Sequence, residues 1–183
     1  TQKHWHNRYY HSYQPTDTVI AYGANTINVH HANDINPFIN YPFFRPNMMK
    51  SYIDKAHSED LKVKIYYTVR ELTNKAPELF MLRSLGNEIF SEGNGGGFSW
   101  LQEHLDSNYI AAWVVTPLQG GAVLNTGILR WQNFYIVGLN WLGKKVGIYG
   151  LYIDDLAFLR NLMKRIRKGF ESGKRGVLNE PPT

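Results

Sequence analysis

The chain has 183 residues, of which 43% are hydrophobic and 19% are charged, a composition that fits one globular domain with a buried core. The absence of cysteine excludes disulfides, thiolate catalysis and cysteine-ligated metals, and no run of about 18 apolar residues predicts a membrane span. The net charge is +5. We interpret the basic cluster near the C-terminus as the solvated face of a helix, not as a nucleic-acid site: Lys164, Arg165, Arg167, Lys168, Lys174 and Arg175.

Hydrophobic periodicity predicts alternating strands and helices along most of the chain. Residues 1–17 show no period and are predicted to be irregular, and residues 171–183 are predicted to be a disordered tail. The predicted strands cover residues 24–31, 62–69, 109–116 and 150–155. The predicted helices cover residues 47–60, 76–85, 130–145 and 159–170. This alternation predicts an α/β fold with a parallel sheet, either a partial (β/α)8 TIM-type barrel of four units or a small open sheet.

The strand at 150–155 ends in two adjacent carboxylates, Asp154 and Asp155. Carboxyl ends of parallel strands are where α/β folds place their chemistry. Side chains alternate across a strand, so Asp154 is predicted to point inward and Asp155 to begin the loop or cap the next helix. The same alternation sends His30, Tyr66 and Arg70 inward, and it turns the apolar residues Ile27, Val29, Val63 and Ile65 towards the helices. We expect His30, Arg70 and Asp154 to share one rim.

Two carboxylates in a cleft with aromatic walls are the requirement of glycoside hydrolysis, in which one acid protonates the leaving oxygen and another group meets the developing positive charge. Asp154 is therefore the predicted principal catalytic carboxylate, and Asp155 or Glu71 is its partner. A neighbouring pair of acids also fits substrate-assisted catalysis. The predicted substrate-binding residues are His30, His31, Asn33, Arg70, Trp100, Glu103, His104, Arg130, Trp131 and Tyr152, with Glu103 also a candidate proton donor.

Two other functions fit parts of the same pattern. His30, His31, Asp34 and His104 suggest a zinc-dependent hydrolase, although their spacing matches no strong motif. A carbohydrate-binding barrel could also keep the cleft without catalysis. The leading prediction requires a carbohydrate substrate, and no cofactor.

Four segments resemble, in the same order, the glycoside hydrolases of the family-123-like group. They are His30–Pro37 with Asn40–Phe43, Tyr66–Leu72, Trp100–His104 and Gly150–Asp155. The resemblance covers about residues 5–170. It implies that residues 1–170 belong to a (β/α)8 catalytic barrel, and that a longer chain supplies the other barrel units and flanking β-domains. It also implies a location outside the cell, in the periplasm or at the cell surface.

Family 123 is similar to retaining β-N-acetylgalactosaminidases that use substrate assistance and an Asp-Glu pair. This chain carries Asp154-Asp155 at that place. Asn87, Tyr149 and Leu159 stand where relatives often carry Asp, so the resemblance also allows a degenerate, inactive copy.

Overall fold

A curved parallel sheet forms the centre of the protein. The computed structural model describes residues 1–7, 13–84, 89–90, 111–113, 121–154 and 160–174. The sheet contains β1 (His4–Asn7), β2 (Thr26–Val29), β3 (Lys62–Tyr67) and β7 (Gly150–Ile153) in the spatial order β1-β2-β3-β7. Every neighbouring pair is parallel.

Helices pack around this sheet and share one hydrophobic core with it. They are α1 (Thr16–Ala21), α2 (Pro46–Ser58), α3 (Glu78–Ser84), α4 (Leu129–Trp141) and α5 (Arg160–Lys174). Because α1 follows β1, α2 follows β2, α4 precedes β7 and α5 follows it, the chain makes four β/α units. The predicted α/β fold, a partial (β/α)8 barrel with parallel strands, is confirmed, and the described residues form four units, one of which was not predicted.

The strand that we predicted at 109–116 is not part of the parallel sheet. Instead β5 (Ala111–Trp113) joins β4 (Glu71–Thr73) and β6 (Gly121–Val123) in a small antiparallel sheet of order β4-β6-β5. An apolar run predicts a strand but does not identify its partner. This small sheet and α3 lie in the connection between β3 and α4, after the carboxyl end of β3.

The fourth parallel strand is β1, in the segment predicted to be irregular. Three of its four residues are His or Asn, so it lacks the apolar run that marks a buried strand. Pairing with β2 along its whole length makes it a strand. The prediction for residues 1–17 was therefore wrong at this position.

The core lies between the sheet and the helices. Ile27, Val29, Val63 and Ile65 are buried there and pack with α2 residues such as Ile53. These strand residues are those that the alternation predicted to face the helices, so the predicted strand faces are confirmed. No helix in the described ranges is long and apolar enough to cross a membrane.

Two helix ends refine the predicted boundaries. After α4 the chain makes a π-helical turn, Leu142–Val146, which stops at Gly147 with φ +82°, a left-handed conformation that favours glycine. The helix α5 continues to Lys174, four residues beyond the end that we predicted. It buries Leu162 and Ile166 and exposes Lys164, Arg165, Arg167 and Lys168, as predicted for a solvated basic face.

Candidate active site

Four aromatic rings, three from β1, β3 and β7 and one from the residue after β2, meet on the sheet face opposite the core. They belong to His6, His30, Tyr66 and Tyr152, which we call the aromatic floor. The His30 and Tyr66 rings stack with centroids 3.8 Å apart, and Tyr66 and Tyr152 stack at 5.7 Å. The His6 ring lies edge-on at 5.5 Å from His30 and also 5.5 Å from Tyr152.

The contact between His6 and Tyr152 shows how strongly the sheet curves. β1 and β7 are three strand positions apart, which in a flat sheet would separate them by about 14 Å. Their side chains meet at 5.5 Å because the inner face of the sheet is concave. This convergence is the geometry of a barrel interior.

Asp154 lies beside the aromatic floor, directly after β7. Its Oδ2 accepts a hydrogen bond of 2.8 Å from the Tyr66 hydroxyl. Its backbone N–H donates to the Tyr67 carbonyl at 2.8 Å, which continues the β3–β7 ladder by one step. The side chain is exposed. The predicted inward direction of Asp154 is confirmed, and the carboxylate is accessible to a ligand.

Burial and neighbouring charges shift the ionisation of the groups around Asp154. Burial raises the pKa of Tyr66 above its usual range, and its hydrogen bond to Asp154 and the charges of Asp154 and Glu71 raise it further. Burial lowers the pKa of His30 to about 4 and that of His31 to about 3, and it also lowers the pKa of His6. At neutral pH the imidazoles are therefore uncharged and Tyr66 keeps its proton.

The loop after β2 is shaped by Asn33. Its Nδ2 donates to the His30 carbonyl at 2.7 Å, and its Oδ1 accepts from the backbone N–H groups of Ile35 and Asn36 at 3.1 and 2.9 Å. Because Asn33 is buried and its amide is engaged in the turn, we withdraw it as a sugar ligand. Ala32 has φ +70°, a strained conformation at the loop that carries both predicted histidines.

Buried side chains hold the carboxyl end of β3. Asn40 Nδ2 donates to the carbonyls of Thr68 and Glu71 at 3.1 and 2.6 Å and to Thr68 Oγ1 at 2.9 Å, and its Oδ1 accepts from the Thr68 N–H at 2.8 Å. Tyr135 donates its hydroxyl to the Thr68 carbonyl at 3.1 Å. These bonds fix the backbone that carries Glu71, whose side chain is largely buried.

Trp131 is a core residue, so its predicted role as a sugar-stacking surface is wrong. It is 0% exposed, and its Nε1 donates to the Val69 carbonyl at 3.2 Å. Phe134 and Tyr135 pack against its rings. Tyr152, by contrast, is 46% exposed on the aromatic floor and remains a candidate platform.

The other predicted residues divide between exposed positions and undescribed ones. Arg70 and Arg130 are exposed, Arg70 after β3 and Arg130 in the first turn of α4. Tyr149 precedes β7 at the amino end of the sheet and interacts with Lys62, whose Nζ is 4.7 Å from its ring centroid. The predictions for Asp155, Trp100, Glu103, His104, Asn87 and Leu159 fall outside the described residues.

The proposed zinc ligands do not form a metal site in the described part of the chain. Asp34 is exposed, and its carboxylate is 3.9 Å from Arg45 Nη1. No group of three or more His, Asp or Glu side chains in the described residues is arranged to hold a metal ion. His104, the fourth predicted ligand, is outside those residues.

Sequence reasoning missed two residues of the site. His6 was not identified because β1 was not predicted. Tyr66 was placed on the inner face but was given no role, since a tyrosine alone in a strand is more often a packing residue. The alternation of side chains could have identified Tyr66, because it places both Tyr66 and Asp154 on the inner face, and their strands are neighbours in the sheet.

Comparison with known proteins gives one family and a set of structural neighbours. Residues 1–179 match the family model described as glycoside hydrolase 123, TIM-barrel domain. No curated protein sequence matches the chain.

Solved structures that resemble the chain include the following enzymes of low sequence identity. The alpha-amylase from Geobacillus thermoleovorans is 16% identical, with a TM-score of 0.57 over 87% of this chain and 37% of the amylase. The debranching enzyme of Nostoc punctiforme is 15% identical, with a TM-score of 0.56 over 85% of this chain and 35% of the enzyme. The alpha-galactosidase from Thermus thermophilus is 16% identical, with a TM-score of 0.57 over 86% of this chain and 32% of the galactosidase. At this identity the likeness establishes the fold, and the chain spans about a third of these structures.

Proposed function

The chain belongs to the glycoside hydrolase 123 TIM-barrel family, and from this membership we propose that the protein hydrolyses glycosidic bonds in an oligosaccharide or polysaccharide. The observation that carries the proposal is the position of Asp154. It is an exposed carboxylate at the carboxyl end of a barrel strand, beside an aromatic floor that suits the flat face of a sugar ring.

In this proposal Asp154 is the principal catalytic carboxylate. Glycosidases need a second acid or an equivalent group, and the candidates are Glu71 and Asp155. Glu71 is supported by its position, because its charge acts on the same Tyr66 phenol to which Asp154 is bonded. Asp155 is the candidate for a substrate-assisted reaction, in which one acid orients a substrate acetamido group and its neighbour donates the proton.

Neutral histidines and exposed rings supply the binding surface. Because burial keeps His30 uncharged at neutral pH, this half-buried ring can hydrogen-bond to a sugar hydroxyl without adding charge to the site. His31 is 4% exposed and both of its ring nitrogens are buried, so it supports the floor and does not reach the sugar. Tyr152 offers an exposed ring face for stacking. Arg70 follows β3 and is the exposed cation that we assign to sugar positioning.

We further infer that the complete barrel contains β/α units beyond the four described here. Four parallel strands are half of the eight that close such a barrel. The 37% coverage of the Geobacillus thermoleovorans alpha-amylase supports the same proposal.

The test is product release from a panel of aryl glycosides, including N-acetylhexosaminides, and from soluble polysaccharides. We expect hydrolysis by the unmodified protein and a loss of about 10²- to 10⁴-fold in Asp154→Asn, the range for a positioned acid or base. Glu71→Gln measures the proposed partner. Asp54→Asn is the matched control, because Asp54 is exposed on α2 and paired with Lys50.

Two outcomes would overturn the proposal. Binding of carbohydrate in titration calorimetry with no product from any substrate would make the domain a binding barrel. Equal activity in Asp154→Asn and the unmodified protein would place the chemistry elsewhere.

A further inference from the structure

Tyr66 links the aromatic floor to the carboxylate that we propose as catalytic. It is 8% exposed, and its hydroxyl reaches Asp154 Oδ2 at 2.8 Å. The backbone sets this meeting, because Tyr66 pairs with Tyr152 in the β3–β7 register and Asp154 lies two residues further along the same face.

The ring of Tyr66 is confined on two sides. His30 stacks on it at 3.8 Å with an interplanar angle of 24°, and Tyr152 lies at 5.7 Å with an angle of 20°. A phenol held between two nearly parallel rings keeps its hydroxyl directed at one place. The hydrogen bond to Asp154 therefore costs little additional ordering when a substrate binds.

The surrounding groups keep Tyr66 a hydrogen-bond donor. Among the described residues, titratable groups that face Tyr66 or Asp154 include His6, His30, His31, Glu71 and Tyr152. The three histidines are neutral at pH 7 because burial lowers their pKa values, so none competes with the phenol as a cationic partner for the carboxylate.

We propose that Tyr66 is a positioning residue that orients Asp154 through the phenol–carboxylate hydrogen bond. The proposal rests on the proposed glycosidase function for its kinetic consequence, but the bond itself exists whether or not the protein is an enzyme. Fixing one carboxylate oxygen sets the direction in which the other oxygen meets the substrate. A carboxylate hydrogen bond of this kind is among the stronger ones in proteins.

The activity-independent test is an alkaline titration of protein labelled with [ζ-¹³C]tyrosine, followed by NMR. The Tyr66 signal is assigned as the one missing from Tyr66→Phe. In Asp154→Asn we expect the ionisation midpoint of Tyr66 to fall, because the hydrogen bond to a carboxylate and its negative charge are lost while burial persists. The signal of Tyr22, which is 73% exposed near the amino end of β2, serves as the internal control and should not move.

The kinetic test compares Tyr66→Phe with Tyr22→Phe on the best aryl glycoside. We expect kcat to fall by about 10- to 100-fold in Tyr66→Phe, the factor that corresponds to one hydrogen bond to a charged group, with KM nearly unchanged. Tyr22→Phe should leave both constants unchanged, since Tyr22 packs on Trp5 away from the floor.

The two tests separate failure of this inference from failure of the proposed function. An unchanged Tyr66 midpoint in Asp154→Asn would refute the bond as a determinant of ionisation, whatever the activity. If the Tyr66 midpoint falls in Asp154→Asn but the unmodified protein hydrolyses no glycoside, the glycosidase proposal is refuted. The interaction between Tyr66 and Asp154 would still stand. Full kcat in Tyr66→Phe would refute the positioning role.

Discussion

Asn40 is the side chain whose removal should disturb the site most without touching a proposed catalytic group. It is buried and makes four hydrogen bonds to Thr68 and Glu71, at the turn between β3 and β4. We expect Asn40→Ala to destabilise the protein and to lower its activity, because the same turn places Glu71.

The loss of stability expected in Asn40→Ala depends on which buried backbone groups lose their hydrogen-bond partner. The Thr68 carbonyl keeps the Tyr135 hydroxyl, so the main losses are the partners of the Thr68 N–H and the Glu71 carbonyl. Each buried group without its partner costs about 1–3 kcal/mol, or about 2–6 kcal/mol together. Asn40 also has φ +51°, where alanine is less favourable by about 1 kcal/mol. The sum approaches the total stability of a typical domain, about 5–15 kcal/mol.

Urea denaturation gives the free energy of unfolding for the unmodified protein and Asn40→Ala. Asn47→Ala is the matched control, since Asn47 is exposed on α2, and its change should stay within about 0.5 kcal/mol. Asn40→Asp is isosteric and tolerates the same backbone conformation, but it replaces an amide donor with a carboxylate that faces two carbonyls, so it too should destabilise. If Asn40→Ala lowers the free energy of unfolding by less than about 1 kcal/mol, the reasoning is refuted. Such a result would mean that the Thr68 N–H and the Glu71 carbonyl lose their partner without cost.

Two further predictions concern the core and the pH dependence of stability. Trp131→Phe should lower the free energy of unfolding by about 1–3 kcal/mol, because the hydrogen bond to Val69 is lost, and it should leave carbohydrate affinity unchanged. Tyr152→Ala should weaken carbohydrate binding and change the free energy of unfolding by no more than about 0.5 kcal/mol. Stability should fall as the pH drops from about 6.5 towards 3, because the unfolded chain binds a proton at His31 that the folded chain, with a pKa of about 3, does not. The loss through His31 is at most about 2 kcal/mol at pH 5, and His30, with a pKa of about 4, adds to it in the same direction. His31→Gln should remove the His31 part of this loss.

Calorimetric titration with the best oligosaccharide separates the two aromatic residues, and weaker binding by folded Trp131→Phe would restore its role as a sugar platform. Urea denaturation at pH 7 and pH 5 measures the proton linkage. His4→Gln removes an exposed imidazole and should leave the pH dependence in place. An identical pH dependence in His31→Gln and the unmodified protein would contradict the assignment to His31.

The parts of the fold that were predictable are those that local pattern determines. The strand face of Ile27 and Val29, the face of Val63 and Ile65, and the helix-ending Gly147 follow from two-residue and helical periodicity. The inward direction of Asp154 followed from the same parity, and its bond to Tyr66 confirms it.

The parts that were not predictable depend on partners distant in sequence. β1 has little apolar signal of its own and exists because β2 pairs with it. β5 has the apolar signal of a buried strand, yet its partner is the antiparallel β6. Periodicity carries no information about which strand lies beside which, and both errors arise from that limit.

Trp131 shows the same limit for a site residue. Trp131 lies on the apolar side of the predicted helix 130–145, while its aromatic character near a cleft suggested a sugar platform. The structure shows that Trp131 is a core residue, because it is fully buried and its indole N–H donates to the Val69 carbonyl after β3. A buried tryptophan needs such an acceptor, and only the three-dimensional packing supplies it.

The site therefore has two layers with different origins. The aromatic floor and Asp154 are set by the register of parallel strands, a rigid arrangement that small loop changes do not alter. Glu71 belongs to a second layer, which depends on Asn40 and on the small antiparallel sheet inserted after β3. Substitutions in that insertion should change which substrate fits before they displace Asp154, because loops on a fixed scaffold carry specificity. The division places the proposed chemistry on the strands and the choice of sugar on the connections between them.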